Sequence, residues 1–477
     1  MSKHLLVINQ RQMAWLVGSL LTGGGLMSVQ HELVRITKMD AWFSYILPTL
    51  YVLFIAFVFA QLSRRFPQLN LFEITMKMFG RMAGTLVNLV LILHIWLILM
   101  RDLRALGKFI NTMLLPNTPE EILVMLLMLI LMFYGRTSVE VLARVNDLFF
   151  PLFFIVIALL PLLLSNELNK ELIQPVLVSG PIKMLYSNLL SFGWYGDTLV
   201  AGAFLHTVWN ARQVQAAIRH GAIMATTLLS LFIFMVLGVL GPVMPANMIY
   251  PNYSLVQHVH ITDFLDRVDL PILSIWFPVL VCKLLLIYLA FLTGLASLLR
   301  ERDYTFINSP VSLVLLLTSM LAFKSTTEVH AFGNYSSPVI ILAYQPLLLA
   351  ALLIGMRRFS KKSAGEQDSG GSDDSSNGGS GGASANPRRS GASSGGGGGG
   401  SPGARIQRRF QALSYGRLVL MSNVLLLLCV LFVGAGVFFA KSFAMLGAVG
   451  ALGYTVCLLL ALLTSHFEMN RADQHGG

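Results

Sequence analysis

The chain has 477 residues, 55% of them hydrophobic and only 12% charged, with a mean hydropathy of +0.70, a balance that excludes a water-soluble domain of this length. The net charge of +11 and pI near 9.7 would suggest nucleic acid in a soluble protein. In a polytopic membrane protein lysine and arginine collect at cytoplasmic helix ends instead, so no nucleic-acid partner is expected. Cys282, Cys429 and Cys457 all lie inside apolar runs, which argues against a disulfide framework or a metal knuckle.

The first apolar segment, Met13 to Val34, is too long for a signal peptide, has no small-residue cleavage site and leads into further spans. It is interrupted by Thr22-Gly23-Gly24-Gly25. A glycine triplet is a poor helix interior, and the arms on either side cover roughly 30 Å of hydrocarbon only when added together. Two readings follow. The helix is broken at the glycines, giving one pole of free carbonyls and one of free amides for a ligand, or the glycines let a neighbouring helix approach closely.

Further spans are expected at 42–62, 83–101, 122–134 and 148–164. A second interrupted segment, 182–206, carries Ser191-Phe192-Gly193-Trp194-Tyr195-Gly196-Asp197. Spans at 222–243, 270–299, 311–323 and 339–356 complete ten, with an interfacial helix expected around 253–264 in the long loop after span 7. The two interrupted segments are spans 1 and 6, the spacing produced by two inverted five-helix repeats whose breaks meet near the bilayer midplane. That recurrence favours the broken-helix reading. An N-terminus in the cytoplasm places 16 lysines and arginines of residues 1–362 inside and nine outside, so both ends of the ten-span unit are expected on the cytoplasmic side.

From Ser363 the composition changes. Residues 363–409 hold 15 of the 41 glycines together with many serines, and are expected to form a disordered tether. Beyond it, within 410–477, two more apolar segments at 418–439 and 443–465 form a transmembrane hairpin joined at Ala440 to Ser442. The fold class expected is therefore an all-α integral membrane protein: a ten-span inverted-repeat (5+5), transporter-like unit over 1–362, with helices 1 and 6 broken, plus a two-helix hairpin.

A small polar molecule is the ligand such a centre suits. The amides of Gly24, Gly25 and Leu26 would face a carboxylate, carbonyls near Thr22, Ser191 and Phe192 an ammonium, and the bare backbone of Gly23 and Gly193 would allow close approach. Phe192, Trp194 and Tyr195 would wall or gate the site, although aromatic clusters in membrane helices more often serve packing. Lys283, in the middle of span 8, is the sharpest single residue, because an intramembrane ammonium faces a cavity or a partner. It would substitute for a bound cation beside span 1, tie helix-end carbonyls, or couple to a proton. Asp197 reads as a helix cap or a cation partner, Arg101 and Asp102 as residues of an outer helix end, and His31, Glu32 and His94 as lining or packing groups. His258 and His260 with Asp263 are too few for a metal site. No nucleotide loop, catalytic triad or zinc motif is present, so neither enzymatic activity nor a cofactor is expected.

Asp40-Ala-Trp42, Arg65-Phe-Pro67, Glu73 followed by Phe79-Gly80, and Gly135 through Glu140-Val-Leu-Ala-Arg144-Val-Asn146 ahead of Phe149-Phe-Pro151 resemble the spore germination AB family, within the amino acid–polyamine–organocation superfamily. The resemblance covers residues 1 to about 360 and includes a lysine in span 8. It implies the B subunit of a nutrient germinant receptor in the inner membrane of an endospore. Such a subunit would bind a germinant, commonly an amino acid, and signal to A and C subunits to trigger ion release and germination. The C-terminal hairpin is similar in size and topology to the small two-helix D subunits of some receptors. The alternatives are a proton- or cation-coupled amino acid transporter and a scaffold with a vestigial cavity.

Overall fold

The computed structural model describes residues 8–26, 28–208, 210–259, 269–301, 304–368, 414–440 and 443–474, and among them the chain is helical, without strands. Among the described residues nine helices are long and apolar enough to cross a membrane. Three further crossings are shorter or interrupted: α1 (Gln10–Gly25) with α2 (Val29–Thr37), α6 (Glu120–Tyr134), and α8 (Pro181–Tyr195), which continues as a 3-10 helix over Gly196–Thr207. In chain order the rest are α3 (Ile46–Arg65), the short α4 (Leu71–Phe79), α5 (Arg81–Phe109), α7 (Val139–Leu163), α9 (Ala211–Leu240), the short α10 (Pro251–Gln257), α11 (Asp269–Leu299), α12 (Thr305–Ala322), the short α13 (Thr326–Ala331), α14 (Ser337–Asp368), α15 (Tyr415–Phe439) and α16 (Ala444–Gln474). Ten crossings precede the last two, and the interrupted helices occupy the first and sixth places.

Burial separates centre from rim. In α9 and α11, 78% of the most apolar stretch is buried, against 28% in α7 and α12, so the first pair forms the core and the second faces outward. Helix α1 packs between α9, α7 and α11, and its start is secured by a capping box between Asn9 and Gln12. The centre is thus built from the first broken helix and the two most deeply buried continuous ones.

The first break is displaced from its expected place. Gly23, Gly24 and Gly25 are the last turn of α1, and the chain leaves the helix only between Leu26 and Ser28, where Ser28 has φ −136° and ψ −50°. Leu26 N donates to the Thr22 carbonyl at 3.1 Å, so the amides at the end of the triplet are used within the helix and do not form an anion pole. The glycines serve close packing. A Cβ on Gly23 would lie 3.0 Å from Lys283 Cδ, one on Gly25 3.0 Å from Leu229 Cδ1, and one on Gly24 would run into Trp194 and Lys283. In a bilayer the helical hydrogen bonds outweigh the entropy cost of glycine, and the break falls where a polar side chain is available to take over. That side chain is Asn252 of α10, whose Nδ2 donates to the Leu26 carbonyl at 2.5 Å.

Three other expectations shift. Helix α5 runs past Arg101 to Phe109, because Leu103, Leu106 and Phe109 continue the buried stripe. The interfacial helix of the long loop begins earlier, at Pro251, and ends at Gln257; 260–264 lie outside the described residues. Residues 363–368 of the expected tether extend α14, consistent with the helix formers Ala364, Glu366 and Gln367, and 369–409 lie outside the described residues.

Candidate functional site at the crossing of the broken helices

Two consecutive residues of α5, the start of the 3-10 continuation of α8 and the middle of α11 bring four charged side chains together beside the glycines of α1. Arg101 is wholly buried, as are Asp197 at 0% exposure and, nearly so, Lys283 at 2% and Asp102 at 6%. Arg101 Nε donates to Asp102 Oδ1 at 2.8 Å and Nη2 to Asp197 Oδ2 at 2.7 Å. Its Nη1 donates to the Gly193 carbonyl at 3.1 Å and to Ser337 Oγ at 3.0 Å. Lys283 Nζ lies 2.7 Å from Asp102 Oδ2 and 3.6 Å from Asp197 Oδ2.

Trp194 closes one side of this cluster. The Arg101 guanidinium sits 3.9 Å from its ring centroid and the Lys283 ammonium 5.0 Å away, so both cations rest on the negative face of one indole. The charges cancel, two cations against two carboxylates. An isolated ion at this depth would cost several kcal/mol, so mutual pairing is the condition for any of the four to be buried. Two atoms remain outside the network: Asp197 Oδ1 and Trp194 Nε1 have no hydrogen-bond partner among the described residues.

The free space here is small. A cavity of about 10 Å³ is bounded by Gly23, Gly24, Trp194, Asp102, Lys283 and Leu280, room for about one water molecule. Small-molecule sites usually enclose roughly 300–1,000 Å³, so this conformation is occluded and a ligand enters only if Lys283 or Trp194 moves.

Of the residues expected at the site, Gly23, Gly24, Gly193, Trp194 and Lys283 converge on it. The others do not. Thr22 Oγ1 donates back to the Gly18 carbonyl at 2.8 Å, and Ser191 Oγ to Ser187 at 3.3 Å, each within its own helix. Gly25 faces Leu229, Leu26 is held by Asn252, and Phe192 packs on Tyr51. Tyr195 stacks on Tyr45 and its hydroxyl pairs with Thr226 at 2.8 Å. The Phe192 carbonyl accepts from the Gly196 amide, since α8 is not unwound but tightens into a 3-10 helix.

Arg101 and Asp102 are placed at the centre, not at an outer helix end. The signal was the apolar stripe Ile95, Leu99, Leu103, Leu106 continuing past them. Asp197 is a partner of Arg101 and Lys283 and not a cap, and Lys283 is neutralised by carboxylates and not by helix-end carbonyls. His94 pairs with the Tyr344 hydroxyl at 2.6 Å, away from the cluster. On the other side of the first break, His31 and Glu32 form a separate polar group with Tyr335, which donates to Glu32 at 2.9 Å. His258 Nδ1 contacts its own helix at the Ser254 carbonyl; His260 and Asp263 lie outside the described residues.

Residues 7–327 match the model of the spore permease family, described as spore germination protein. Among similar proteins of Bacillus subtilis strain 168, the putative spore germination protein YfkT is 27% identical over 317 residues, 66% of this chain and 87% of its own. Spore germination protein B2 is 22% identical over 279 residues, 58% of this chain and 74% of its own, and spore germination protein KB 23% over 293 residues, 61% and 79%. Since 317 residues are 87% of YfkT, that relative is about 364 residues long (317/0.87), the length of the ten-crossing unit without the hairpin. With a helical membrane architecture and a family model spanning about two thirds of its 477 residues, the chain belongs to the spore germination protein family.

Proposed function

We propose that this chain is the nutrient-sensing B subunit of a spore germinant receptor and that its ligand is a small zwitterion, an amino acid in the first instance. The observation that carries this reading is the electroneutral cluster of Arg101, Asp102, Asp197 and Lys283 against the bare backbone of Gly23 and Gly24. A lone cation or anion entering it would leave one buried charge unpaired, whereas a zwitterion preserves neutrality. The ligand ammonium takes the place of Lys283 at Asp102 and Asp197, whose Oδ1 is free to accept. The ligand carboxylate pairs with the displaced lysine.

Moving Lys283 of α11 and Trp194 of α8 disturbs α1 as well, since both residues lie against Gly24. Binding thereby selects a different packing of the first broken helix, and this change is what A and C subunits would read. The membrane would be the inner membrane of the spore, with both termini on the core side. The test is binding of a panel of amino acids, amines and carboxylic acids to the purified protein, followed by uptake into proteoliposomes. Saturable binding of amino acids alone, without accumulation, supports the sensor. Gradient-driven accumulation supports instead a transporter in which Lys283 couples the cycle.

A further inference from the structure

The C-terminal hairpin, α15 and α16, is seated along α9 by a set of side chains that its composition does not announce. Arg219 of α9 and Glu468 of α16 form an ion pair, Nε to Oε1 at 3.1 Å, with side-chain exposures of 3% and 1%. Arg219 Nη1 also donates to Asn423 of α15 at 2.8 Å, His220 Nδ1 meets Ser465 Oγ at 2.9 Å, and Gln10 Nε2 donates to the Met469 carbonyl at 2.9 Å. Midway along, Ser230 Oγ and Tyr454 hydroxyl are 3.0 Å apart, with Tyr454 edge-on to Trp42 and Phe43. At the other end Leu177, from the loop before α8, fills a socket made by Gly436 and Gly450.

We propose that this face of α9 is a docking surface for a two-helix membrane partner, that its occupant is the hairpin of the same chain, and that the hairpin is held by these contacts and not by the covalent connection. Among the described residues Arg219 and Glu468 are each other's only ionic partner in the interface, and neither is tolerated unpaired at this burial. The glycine socket, the aromatic contact and the ion pair are distributed along the full hairpin and fix its register. The relative of about 364 residues (317/0.87) is as long as the ten-crossing unit alone, so the hairpin is an addition and not part of the shared unit. A connection through 369–413 then only raises the local concentration of the partner.

The surface also has a route to the centre. The same helix presents Leu229, next to Ser230 in the chain, to Gly25, and Thr226, about one turn before Ser230, to Tyr195 and Thr49. The hairpin therefore constrains the helix on which α1 packs and to which Tyr195 of α8 is hydrogen-bonded. This inference stands whether the centre senses or transports.

The experiment is a cut in the full-length chain. A protease site is inserted after Ser394, an affinity tag placed at the N-terminus, and cleavage done in membranes before mild detergent extraction and capture. The expected result is that the cut hairpin fragment stays with the tagged part. Retention falls by about tenfold or more in Glu468→Ala, as expected for an orphaned buried charge, and recovers in the reciprocal Arg219→Glu, Glu468→Arg chain. Gly436→Leu, which leaves the charges alone, also lowers retention. Loss of the wild-type fragment on cutting overturns the proposal, as does undiminished retention in both Glu468→Ala and Gly436→Leu. With two differently tagged copies co-expressed, capture of one copy's fragment by the other copy's tag would make a second copy the occupant and overturn the assignment to the same chain.

Discussion

Replacing Lys283 by methionine tests the central cluster most directly. The change keeps an unbranched side chain one atom shorter, and with it the contact with Gly23, but removes one of two buried cations, leaving Asp102 and Asp197 to share Arg101. Lys283 Nζ is 2.7 Å from Asp102 and 3.6 Å from Asp197, while Arg101 already directs Nε and Nη2 to one oxygen of each. Its Nη1 is taken by Gly193 and Ser337, which leaves a single N–H on Nη2, and one cation cannot balance two carboxylates. Breaking a buried pair from one side costs about 3–5 kcal/mol, whereas removing both partners is often near neutral. Lys283→Met is thus expected to destabilise by about that amount, and Lys283→Met with Asp102→Asn to recover most of it, a coupling of about 2 kcal/mol or more in a double-mutant cycle. Unfolding of the four purified chains in one detergent, followed by heat and by denaturant, measures this. A Lys283→Met chain as stable as the parent, or a double variant worse than the weaker single one, would refute the charge-balance argument.

Other substitutions separate the roles around the break. Gly24→Ala drives a methyl group into Trp194 and Lys283, and is expected to abolish ligand binding at a stability cost of about 1–3 kcal/mol; Gly25→Ala, which meets only the mobile end of Leu229, should bind normally. Asn252→Ala orphans the Leu26 carbonyl, and is expected to cost about 1–3 kcal/mol and to speed amide hydrogen exchange at 28–31, while Asn252→Gln spares neither distance nor direction and should not rescue. Asp40→Ala removes the acceptor that ties the turn after α2 to the Leu177 and Ser179 amides, the latter at 2.8 Å. Because Leu177 also seats the hairpin, this variant should lower retention of the cut hairpin as well as stability, and a loss of stability alone would show that the loop and the hairpin are uncoupled.

The sequence by itself determined the fold class, an all-α membrane protein, and the order of its apolar segments, because apolar length is a local property read against a fixed bilayer thickness. It also singled out Lys283, since a lone ammonium in an apolar run needs no structure to be recognised as costly. Where that ammonium is neutralised was decided only by the tertiary structure. Arg101 and Asp102 look like a helix end from hydropathy, because their charges cut the apolar window short; packing of α5 against α8 and α11 is what buries them. The glycines of α1 carried two readings that local physics could not separate, a break or a close contact. Lys283, Trp194 and Leu229 fill the space beside them, and Asn252, more than 200 residues away in the chain, supplies the hydrogen bond that lets the helix stop at Leu26 instead. Contacts of that sequence separation leave no periodicity, and only the assembled bundle brings them into being.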